Sequence, residues 1–323
     1  MSMKMRGNAA AHASASVPKQ NISLIALDLD GTTLVRGRIT SRTRRALEEA
    51  ARRGIHVVVA TGRAWCSLPK DLFQVQGLEY VVTSNGAMIT EISSGKILYE
   101  NCVDPEPMET VAALLRENRR FPVEVFTKGK AYIGRDVFEE VRDPGLSYMS
   151  RNYILRTRQP VDDIYGFLEE NIQAVENINI LFEFFEDKEA MKVVLEQIPN
   201  ITVTSSVPHN LEIGGATTSK ATGLKALCDI IGADLGNAMA CGDSPNDMDM
   251  LEEAGLGIAM GNSEPEILAM ADYIAPSCDE EGVAFAVEKF ALGMERPGWQ
   301  LTAFRIRGRL LTRLRRIARR MLR

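Results

Sequence analysis

LIALDLDGTT (residues 24–33) is an apolar run that ends in two carboxylates, a glycine and two threonines. A continuous apolar run of this length, closed by a turn signal, predicts a buried strand of a parallel sheet, and open α/β sheets bind ligands at the carboxyl ends of such strands. Asp28 and Asp30 are two residues apart, so their carboxylates point to the same face of an extended strand. They would repel each other unless a cation lies between them or one of them is protonated. The stretch therefore predicts a charged site at this edge of the sheet.

Two other interpretations of the stretch are a calcium-binding loop and a plain turn with solvated aspartates. A calcium loop needs acidic or amide side chains at alternate positions and a glycine one step later than Gly31. The position of Gly31 therefore disfavours calcium. The plain turn stays open until the other motifs are considered.

The composition is that of an ordinary globular protein with an uneven charge distribution. The chain has 323 residues, of which 45% are hydrophobic and 25% are charged, and its formal net charge is −5. This length allows two domains. Residues 304–323 contain nine arginines and no acidic residue, so the remainder of the chain is more acidic than the total suggests. An acidic body argues against nucleic acid as the partner of the core.

The five cysteines and three histidines do not form a metal-binding pattern. No two cysteines form a C-x-x-C pair, and each is interpreted as a small buried hydrophobe in a reducing compartment. His12, His56 and His209 are too far apart in sequence for the usual zinc spacings. These features predict a cytoplasmic protein without a histidine-built zinc site.

The two ends of the chain differ from its body. Residues 1–21 lack the apolar core of a secretory signal, so a disordered tail is expected, with an organelle presequence as the alternative. No run reaches the eighteen or so apolar residues of a membrane span. In the tail at residues 293–323, Leu310, Leu314 and Ile317 recur at helical spacing with arginines between them. They predict a basic amphipathic helix that contacts an anionic membrane surface or an acidic protein surface, including that of its own chain.

Two further apolar strands are predicted, and a polar motif follows each of them. Residues 55–60 end in TGR (residues 61–63), where a threonine hydroxyl can donate to a phosphate oxygen, although threonine before glycine is also a routine turn. Residues 80–83 end in SNGA (residues 84–87), which is either a hairpin turn or a ligand-binding turn. A helix is expected between the first two strands, and such alternation predicts a doubly wound sheet.

The pattern changes between residues 88 and 216. Short apolar strands alternate with helical patterns there, and no comparable cluster of carboxylates occurs. We interpret residues 88–216 as an inserted α+β domain that covers the site and selects the substrate. The doubly wound pattern resumes over residues 217–292, where a helix begins near Lys220 and a strand at residues 238–241 ends in GDSPND (residues 242–247).

The order and spacing of these motifs are similar to those of a known superfamily. With its DLDGT start, its TGR and SNGA motifs, Lys220 and its GDSPND motif, the sequence resembles the haloacid dehalogenase (HAD) superfamily, and its Cof-type (subfamily IIB) phosphatases in particular. The resemblance spans roughly residues 22–290. It implies a Rossmann-like doubly wound parallel sheet as a core domain, residues 22–87 and 217–292, with an inserted α+β cap domain of the C2B type.

The resemblance also implies a magnesium-dependent phosphatase of small phosphorylated metabolites, such as sugar or cofactor phosphates. Phosphoryl transfer needs a nucleophile, an acid for the leaving oxygen and cations that offset the negative charge. Asp28 is expected as the nucleophile that forms an aspartyl-phosphate, and Asp30 as the general acid that afterwards activates water. Mg²⁺ would be held by the carboxylates of Asp28 and Asp243 and by the backbone carbonyl of Asp30, and Asp247 would support these ligands or orient Lys220.

The remaining candidates bind the phosphoryl group or the rest of the substrate. Thr61 and Lys220 are expected to stabilise the transferring phosphoryl group, with Gly62 beside Thr61. A lysine in the first turn of a helix is usually solvated, yet cations are disfavoured there, and this misfit favours a functional role for Lys220. Further candidates for contact with the substrate or with metal-bound water are Arg63, Asn85 and Asn246.

Two alternative functions remain at this point. One is a phosphomutase-like transfer, in which phosphate passes to another hydroxyl instead of water. The other is a non-catalytic sensor that binds phosphoesters. The presence of a nucleophile together with its acid argues against the sensor, because a pure binder need not retain both.

Overall fold

The computed structural model of the chain describes residues 21–142 and 149–294. Residues 1–20 of the predicted N-terminal tail and the predicted Arg-rich helix lie outside the described residues. Within the described ranges, no helix combines the length and the apolar character that crossing a membrane requires.

The described residues form strands and helices in a regular order. The strands are β1 (Leu24–Leu27), β2 (His56–Ala60), β3 (Leu78–Thr83), β4 (Met88–Glu91), β5 (Ile97–Glu100), β6 (Val123–Thr127), β7 (Lys130–Gly134), β8 (Arg158–Val161), β9 (Val175–Leu181), β10 (Ile201–Thr204), β11 (Asn210–Gly215), β12 (Ala238–Gly242), β13 (Leu256–Ala259) and β14 (Tyr273–Ile274). The helices are α1 (Ser41–Arg52), α2 (Pro105–Glu117), α3 (Arg135–Arg142), α4 (Arg151–Thr157), α5 (Ile164–Glu170), α6 (Phe185–Leu195), α7 (Lys220–Ile231), α8 (Met248–Glu253), α9 (Pro265–Met270) and α10 (Gly282–Ala286).

The larger sheet has the strand order β14-β13-β12-β1-β2-β3-β4-β5. Strand β1 pairs in parallel with β12 on one side and with β2 on the other. Both of its faces are buried: Ile25 and Leu27 belong to the cluster that includes α1 and α10, whereas Leu24 and Ala26 belong to the cluster that includes α7 and α8. A strand covered by helices on both faces has to be apolar throughout, which explains the continuous run in the sequence. The predicted doubly wound parallel sheet is confirmed.

The smaller sheet has the strand order β10-β11-β9-β6-β7-β8. One face is apolar, and Ile178 and Ile213 on it lie in a core cluster with residues of α2, α5 and α6. Because side chains alternate along a strand, Glu124, Asn179 and Glu212 lie together on the opposite face. Asn179 is directly opposite Glu124 on one neighbouring strand and Glu212 on the other. The smaller sheet thus buries a row of polar side chains.

Strands β4 and β5 lie in the larger sheet, although the sequence predicted that the inserted domain begins at residue 88. The turn at residues 84–87 returns the chain antiparallel to β3, so the hairpin interpretation of this turn is confirmed. Strand β5 then pairs with β4, and both strands extend the larger sheet. Short apolar strands of this kind look alike in sequence whichever sheet they join. The inserted segment therefore begins after Asn101, and we refer to residues 102–215 as the inserted unit.

The two chain segments that connect the inserted unit to the larger sheet run side by side. The Thr218 hydroxyl donates a hydrogen bond to the backbone oxygen of Asn101 over 3.1 Å. The Asn101 side-chain amide donates to the hydroxyl of Thr217 over 3.2 Å. The incoming and outgoing segments are therefore tied to each other where they leave the larger sheet.

Candidate active site

The point where strand order diverges in the larger sheet brings distant motifs together. The chain proceeds from β1 towards β2 on one side and from β12 towards β13 on the other, and α/β sheets bind ligands at such a switch point. Asp28 directly follows β1, and Asp243 directly follows β12. One carboxylate oxygen from each of Asp28, Asp243 and Asp247 lies within 4.8 Å of the others. The structure thus gathers three carboxylates from two separate parts of the sequence.

Lys220 lies between two of these carboxylates. Its Nζ donates to Asp28 Oδ1 over 2.6 Å and to Asp247 Oδ1 over 2.7 Å, and the residue is only 1% exposed. Burial lowers the pKa of Lys220, but the adjacent carboxylates of Asp247 and Asp28 raise it by more, so its pKa lies above the ordinary value. The lysine therefore remains a cation. The alternative of a solvated first-turn lysine is wrong.

The local structure around Lys220 explains why a cation is tolerated at a helix start. Ser219 is the N-cap of α7, and its hydroxyl accepts a hydrogen bond from the backbone N–H of Thr222. The first turn also packs against the β3–β4 turn so closely that a Cβ at Gly86 would collide with the Ser219 carbonyl. The unfavourable helix dipole at Lys220 is outweighed by two carboxylates at hydrogen-bond distance.

The surroundings of Asp28 disfavour the ionised form of its carboxyl group. Its pKa is raised well above the ordinary value, firstly by burial and also by repulsion from Asp247, Asp243 and Asp30, whereas Lys220 lowers it. Its Oδ1 is bonded to Lys220, and within residues 21–142 and 149–294 no hydrogen bond reaches its Oδ2. One oxygen of this carboxylate therefore has no hydrogen bond from the described residues and lies in a buried, negatively charged cluster.

Asp243 is held against the loop that follows β1. The Thr32 hydroxyl donates to Asp243 Oδ1 over 2.6 Å. Gly31 has a φ of +76°, and a Cβ there would collide with the Asp243 carboxylate. Burial, as the main cause, raises the pKa of Asp243 to about 6. Gly31 is therefore required both by its backbone conformation and by the approach of Asp243.

Asp247 has a different role from the other two carboxylates. Its Oδ1 accepts from Lys220, and its Oδ2 accepts from the backbone N–H groups of Asp243 and Ser244 over 2.9 and 3.0 Å. It is completely buried. With both oxygens in use, Asp247 orients Lys220 and fixes the loop that carries Asp243.

The donor set fits a hard divalent cation such as Mg²⁺. The cluster contains three carboxylates, and Lys220 pairs with two of them, which leaves an excess of negative charge. Carboxylate oxygens are the ligands that Mg²⁺ prefers. Asp28 and Asp243 are the better candidates to hold a cation. Within the described part of the chain, the Asp243 oxygens accept only from the hydroxyls of Thr32 and Ser244, whereas those of Asp247 accept from Lys220 and from two backbone N–H groups. An additional cation would also offset the repulsion that raises the pKa of Asp28.

Asp30 lies outside this carboxylate cluster and is paired with Arg63. Arg63 donates from Nε and Nη2 to the two Asp30 oxygens, each over 2.6 Å, in a bidentate pair. Arg63 Nη1 also donates to the backbone oxygen of Ser67 over 2.9 Å. The Asp30 side chain is 51% exposed, so it has access both to the cavity and to solvent.

The other predicted phosphate-site residues lie at the ends of β2, β3 and β12. Thr61 is 1% exposed, and its hydroxyl accepts from the backbone N–H of Arg63 over 3.2 Å. Asn85 adopts the left-handed conformation at φ +55° and accepts from the Asn246 amide over 3.0 Å. A Cβ at Gly62 would lie 3.0 Å from Asn85 Oδ1, so the TGR and SNGA motifs are in contact through Gly62.

A cavity of about 850 Å³ extends from this cluster to the inserted unit. Its wall on the larger sheet includes Asp28, Thr61 and Asn246, and its opposite wall includes Glu124 and Glu212. This volume is in the range of pockets that hold small-molecule ligands. The described residues thus enclose a site between the carboxylate cluster and the polar face of the smaller sheet.

The polar face of the smaller sheet is connected by hydrogen bonds. Arg158 donates to both oxygens of Glu124 over 2.7 Å, and Asn179 donates to Glu124 over 2.8 Å. Asn210 donates to Asn179 over 2.9 Å and to Glu212 over 3.0 Å. Buried charged and amide groups of this kind need such partners, because an unpaired one would be costly.

Sequence reasoning missed the residues that the inserted unit contributes to the cavity. Glu212 accepts from the Asn85 amide over 2.5 Å and so joins the inserted unit to the SNGA motif. A signal was present: NLEI at residues 210–213 and NIN at residues 177–179 place polar residues at every second position of apolar strands. This alternation indicates one polar face, but only the tertiary structure shows that the face is turned towards the active site.

Comparisons with known proteins give the family. The family model described as haloacid dehalogenase-like hydrolase matches residues 25–287. Phosphatase YwpJ of Bacillus subtilis (strain 168) is 34% identical over 281 residues, covering 81% of this chain and 98% of the relative. The 5-amino-6-(5-phospho-D-ribitylamino)uracil phosphatase YcsE of the same organism is 28% identical over 277 residues, covering 84% of this chain and 97% of the relative.

A solved structure agrees with these relatives. A haloacid dehalogenase-like hydrolase from B. subtilis is 30% identical and has a TM-score of 0.71, covering 83% of this chain and 99% of that chain. The match extends across both sheets. The prediction of a phosphatase-type hydrolase is confirmed at the level of the family and its curated relatives. The chain belongs to the haloacid dehalogenase-like hydrolases.

Proposed function

We propose that the chain is a Mg²⁺-dependent phosphatase that hydrolyses small phosphorylated metabolites through an aspartyl-phosphate intermediate. One observation carries the proposal. Lys220 is buried and bonded to Asp28 and Asp247, with Asp243 in the same cluster. This arrangement provides a nucleophile, a fixed cation and two metal-binding carboxylates within one small volume.

The first half of the reaction uses Asp28 as the nucleophile. Its Oδ2 attacks phosphorus in line with the leaving oxygen, the bond between phosphorus and that oxygen breaks, and Asp28 becomes an acyl phosphate. Asp30 donates a proton to the leaving oxygen. The alcohol then departs through the cavity.

The second half of the reaction uses Asp30 as a base. Having lost its proton, Asp30 accepts one from a water molecule that attacks the phosphorus of the intermediate. Inorganic phosphate leaves, and Asp28 is regenerated. The exposure of the Asp30 side chain, 51%, gives this water a route to the site.

Hydrogen-bond donors that are already in place stabilise the negative charge on the transferring phosphoryl group. Lys220 is held by two carboxylates, so it need not reorganise during the reaction. Thr61 at the end of β2 offers its hydroxyl, and Asn246 offers its amide from the loop after β12. A Mg²⁺ ion held by Asp28 and Asp243 would reduce the repulsion between the nucleophile and the phosphate dianion.

We also propose that the inserted unit is a cap domain that selects the substrate. Its polar face supplies carboxylates and amides, including Glu124, Asn179 and Glu212, opposite the carboxylate cluster. Such groups bind hydroxyl and amine substituents of a leaving group. The ribitylamino-uracil phosphate in the name of one relative has substituents of this kind, which supports sugar and cofactor phosphates as candidates.

The proposal is tested by measuring phosphate release from a panel of phosphorylated metabolites with Mg²⁺ and with EDTA. We expect turnover with Mg²⁺ only. Asp28→Asn should abolish turnover while substrate binding persists, whereas Asp229→Asn, an exposed control in α7, should leave it unchanged. Normal turnover by Asp28→Asn would refute the mechanism, and transfer of phosphate to a second sugar hydroxyl would indicate the mutase instead.

We further propose a cytoplasmic location and a surface contact made by the Arg-rich segment. The location is supported by five cysteines without a C-x-x-C pair, and the contact by nine arginines without an acidic residue over residues 304–323. Deleting residues 297–323 and measuring pelleting with anionic liposomes tests the membrane form of this contact. Pelleting that is unchanged by the deletion would contradict it.

A further inference from the structure

Tyr153 lies between two arginines at the wall of the cavity. It belongs to α4 of the inserted unit, lines the cavity and is half-buried. The Arg63 guanidinium carbon lies 4.8 Å from the centre of the Tyr153 ring, and the Arg158 guanidinium carbon lies 4.6 Å from it. Both distances are within the range of favourable cation–π contacts.

Each of these arginines is bonded to a carboxylate. Arg63 is paired with Asp30 on the larger-sheet side, and Arg158 is paired with Glu124 in the smaller sheet. Both arginines also donate to Ser67: Arg63 to its backbone oxygen over 2.9 Å, and Arg158 to its hydroxyl over 3.1 Å. A continuous set of contacts therefore joins Asp30 to Glu124, with the Tyr153 ring against both guanidinium groups.

We propose that Tyr153 is a positioning residue that holds Arg63, and through Arg63 the carboxylate of Asp30, in the orientation needed for proton transfer. The inference deepens the proposed function and rests on it. Within the described ranges, the side-chain hydrogen bonds of Asp30 come from Arg63. The orientation of the half-exposed Asp30 carboxylate therefore depends on where Arg63 is held.

The ring adds a constraint that the hydrogen bonds of Arg63 do not provide. Arginine is long and has many rotamers, so keeping its head group in one place costs conformational entropy. An aromatic surface against the guanidinium favours one placement and leaves the in-plane donors free for Asp30 and Ser67. Because Tyr153 comes from the inserted unit, the orientation of Asp30 depends on how that unit is seated.

The proposal makes a prediction that depends on the leaving group. Departure of an alkoxide requires a proton from the general acid, whereas 4-nitrophenolate departs without one. Benzyl phosphate and 4-nitrophenyl phosphate each carry one aromatic ring and differ in this requirement. Asp30 acts as a base only after the alcohol has left, and kcat/KM reports the steps up to that departure. A residue that positions Asp30 should therefore matter for kcat/KM on benzyl phosphate and hardly at all for kcat/KM on 4-nitrophenyl phosphate.

The test compares Tyr153→Leu with Tyr153→Phe on these two esters in the presence of Mg²⁺. For Tyr153→Leu we expect kcat/KM on benzyl phosphate to fall about 5- to 30-fold and kcat/KM on 4-nitrophenyl phosphate to change less than about 3-fold. Tyr153→Phe retains the ring and should retain wild-type kcat/KM on both esters. If the Leu variant does not fold, Tyr153→Gln serves as the second variant without a ring, with the same expectations.

A matched control is available in the same unit. Tyr165 in α5 has the Arg119 guanidinium carbon 4.9 Å from its ring centre, and it does not line the cavity. Tyr165→Leu should leave kcat/KM on both esters unchanged. Equal loss of kcat/KM on both esters, no loss of kcat/KM on benzyl phosphate, or a Phe variant as impaired as Leu would each overturn the role of Tyr153. A wild-type protein that hydrolyses neither ester would instead refute the proposed function, and the inference with it.

Discussion

Replacing Asp243 by Asn should stabilise the metal-free protein at neutral pH. Burial raises the pKa of Asp243 from its ordinary value of 3.8 to about 6. A carboxyl with a raised pKa in the folded state adds stability below the unfolded pKa, and this contribution is lost as the pH rises through the folded pKa. A shift of about two pKa units corresponds to about 3 kcal/mol at ~1.4 kcal/mol per unit, and partial exposure of the side chain reduces it to about 2 kcal/mol.

The assay is urea unfolding of wild type and Asp243→Asn in EDTA at pH 7.5 and near pH 4. We expect the variant to be more stable than wild type by about 2 kcal/mol at pH 7.5 and nearly equal to it near pH 4, because the wild-type carboxyl is then protonated. Asn retains the acceptor for the Thr32 hydroxyl, so that hydrogen bond is kept. Asp229→Asn is the exposed control, with an expected change below about 0.5 kcal/mol.

Addition of Mg²⁺ should reverse the order of stability. Wild type should gain stability at pH 7.5 in proportion to ligand binding, whereas Asp243→Asn should gain much less. The reasoning would be refuted if the variant were less stable than wild type in EDTA at pH 7.5. It would also fail if Mg²⁺ stabilised both proteins equally.

Three further substitutions test other parts of the site. Lys220→Met should abolish turnover and lower the free energy of unfolding by about 3–5 kcal/mol in EDTA, because it leaves buried carboxylates without their cation. Urea unfolding of the variant that matched wild type would contradict this. Gly31→Ala should lower the free energy of unfolding by about 1–3 kcal/mol, because position 31 has a positive φ and the new Cβ would collide with Asp243. It should also weaken Mg²⁺ binding in calorimetry, and wild-type affinity for Mg²⁺ would count against the packing argument. Glu212→Gln should lower the free energy of unfolding by about 1–2 kcal/mol, because an amide cannot accept from all the donors that hydrogen-bond to the carboxylate. Unchanged thermal unfolding would show that those hydrogen bonds contribute little.

The sequence predicted the larger sheet and the carboxylate cluster because both follow from local patterns. An apolar run followed by Asp28 predicts a buried strand with a carboxylate at its end, and the run before Asp243 does the same. Parallel strands bring such ends to one edge whatever lies between them in the sequence. The order of the motifs was therefore enough to place Asp28 and Asp243 near one another, whereas the position of Lys220 beside them was implied by the family resemblance.

The remaining contacts depend on tertiary packing that no local pattern encodes. The Asn85–Glu212 hydrogen bond joins residues 127 positions apart. The contact of Tyr153 with Arg63 forms only where the inserted unit packs against the rest of the chain. The boundary at residue 88 was misplaced because β4 has the same short apolar pattern as strands of the smaller sheet. Only pairing with β3 reveals which sheet it belongs to.

The adjacent connecting segments at Asn101 and Thr218 make the inserted unit exchangeable in evolution. A unit whose ends are already neighbours can be lengthened, shortened or replaced with little loop-closure cost, because the two points on the host sheet keep the same short separation. Asp28, Lys220 and Asp243, which carry the proposed chemistry, all lie outside residues 102–215. The polar groups that the inserted unit places opposite the carboxylate cluster can therefore change in evolution while the cluster itself is inherited intact.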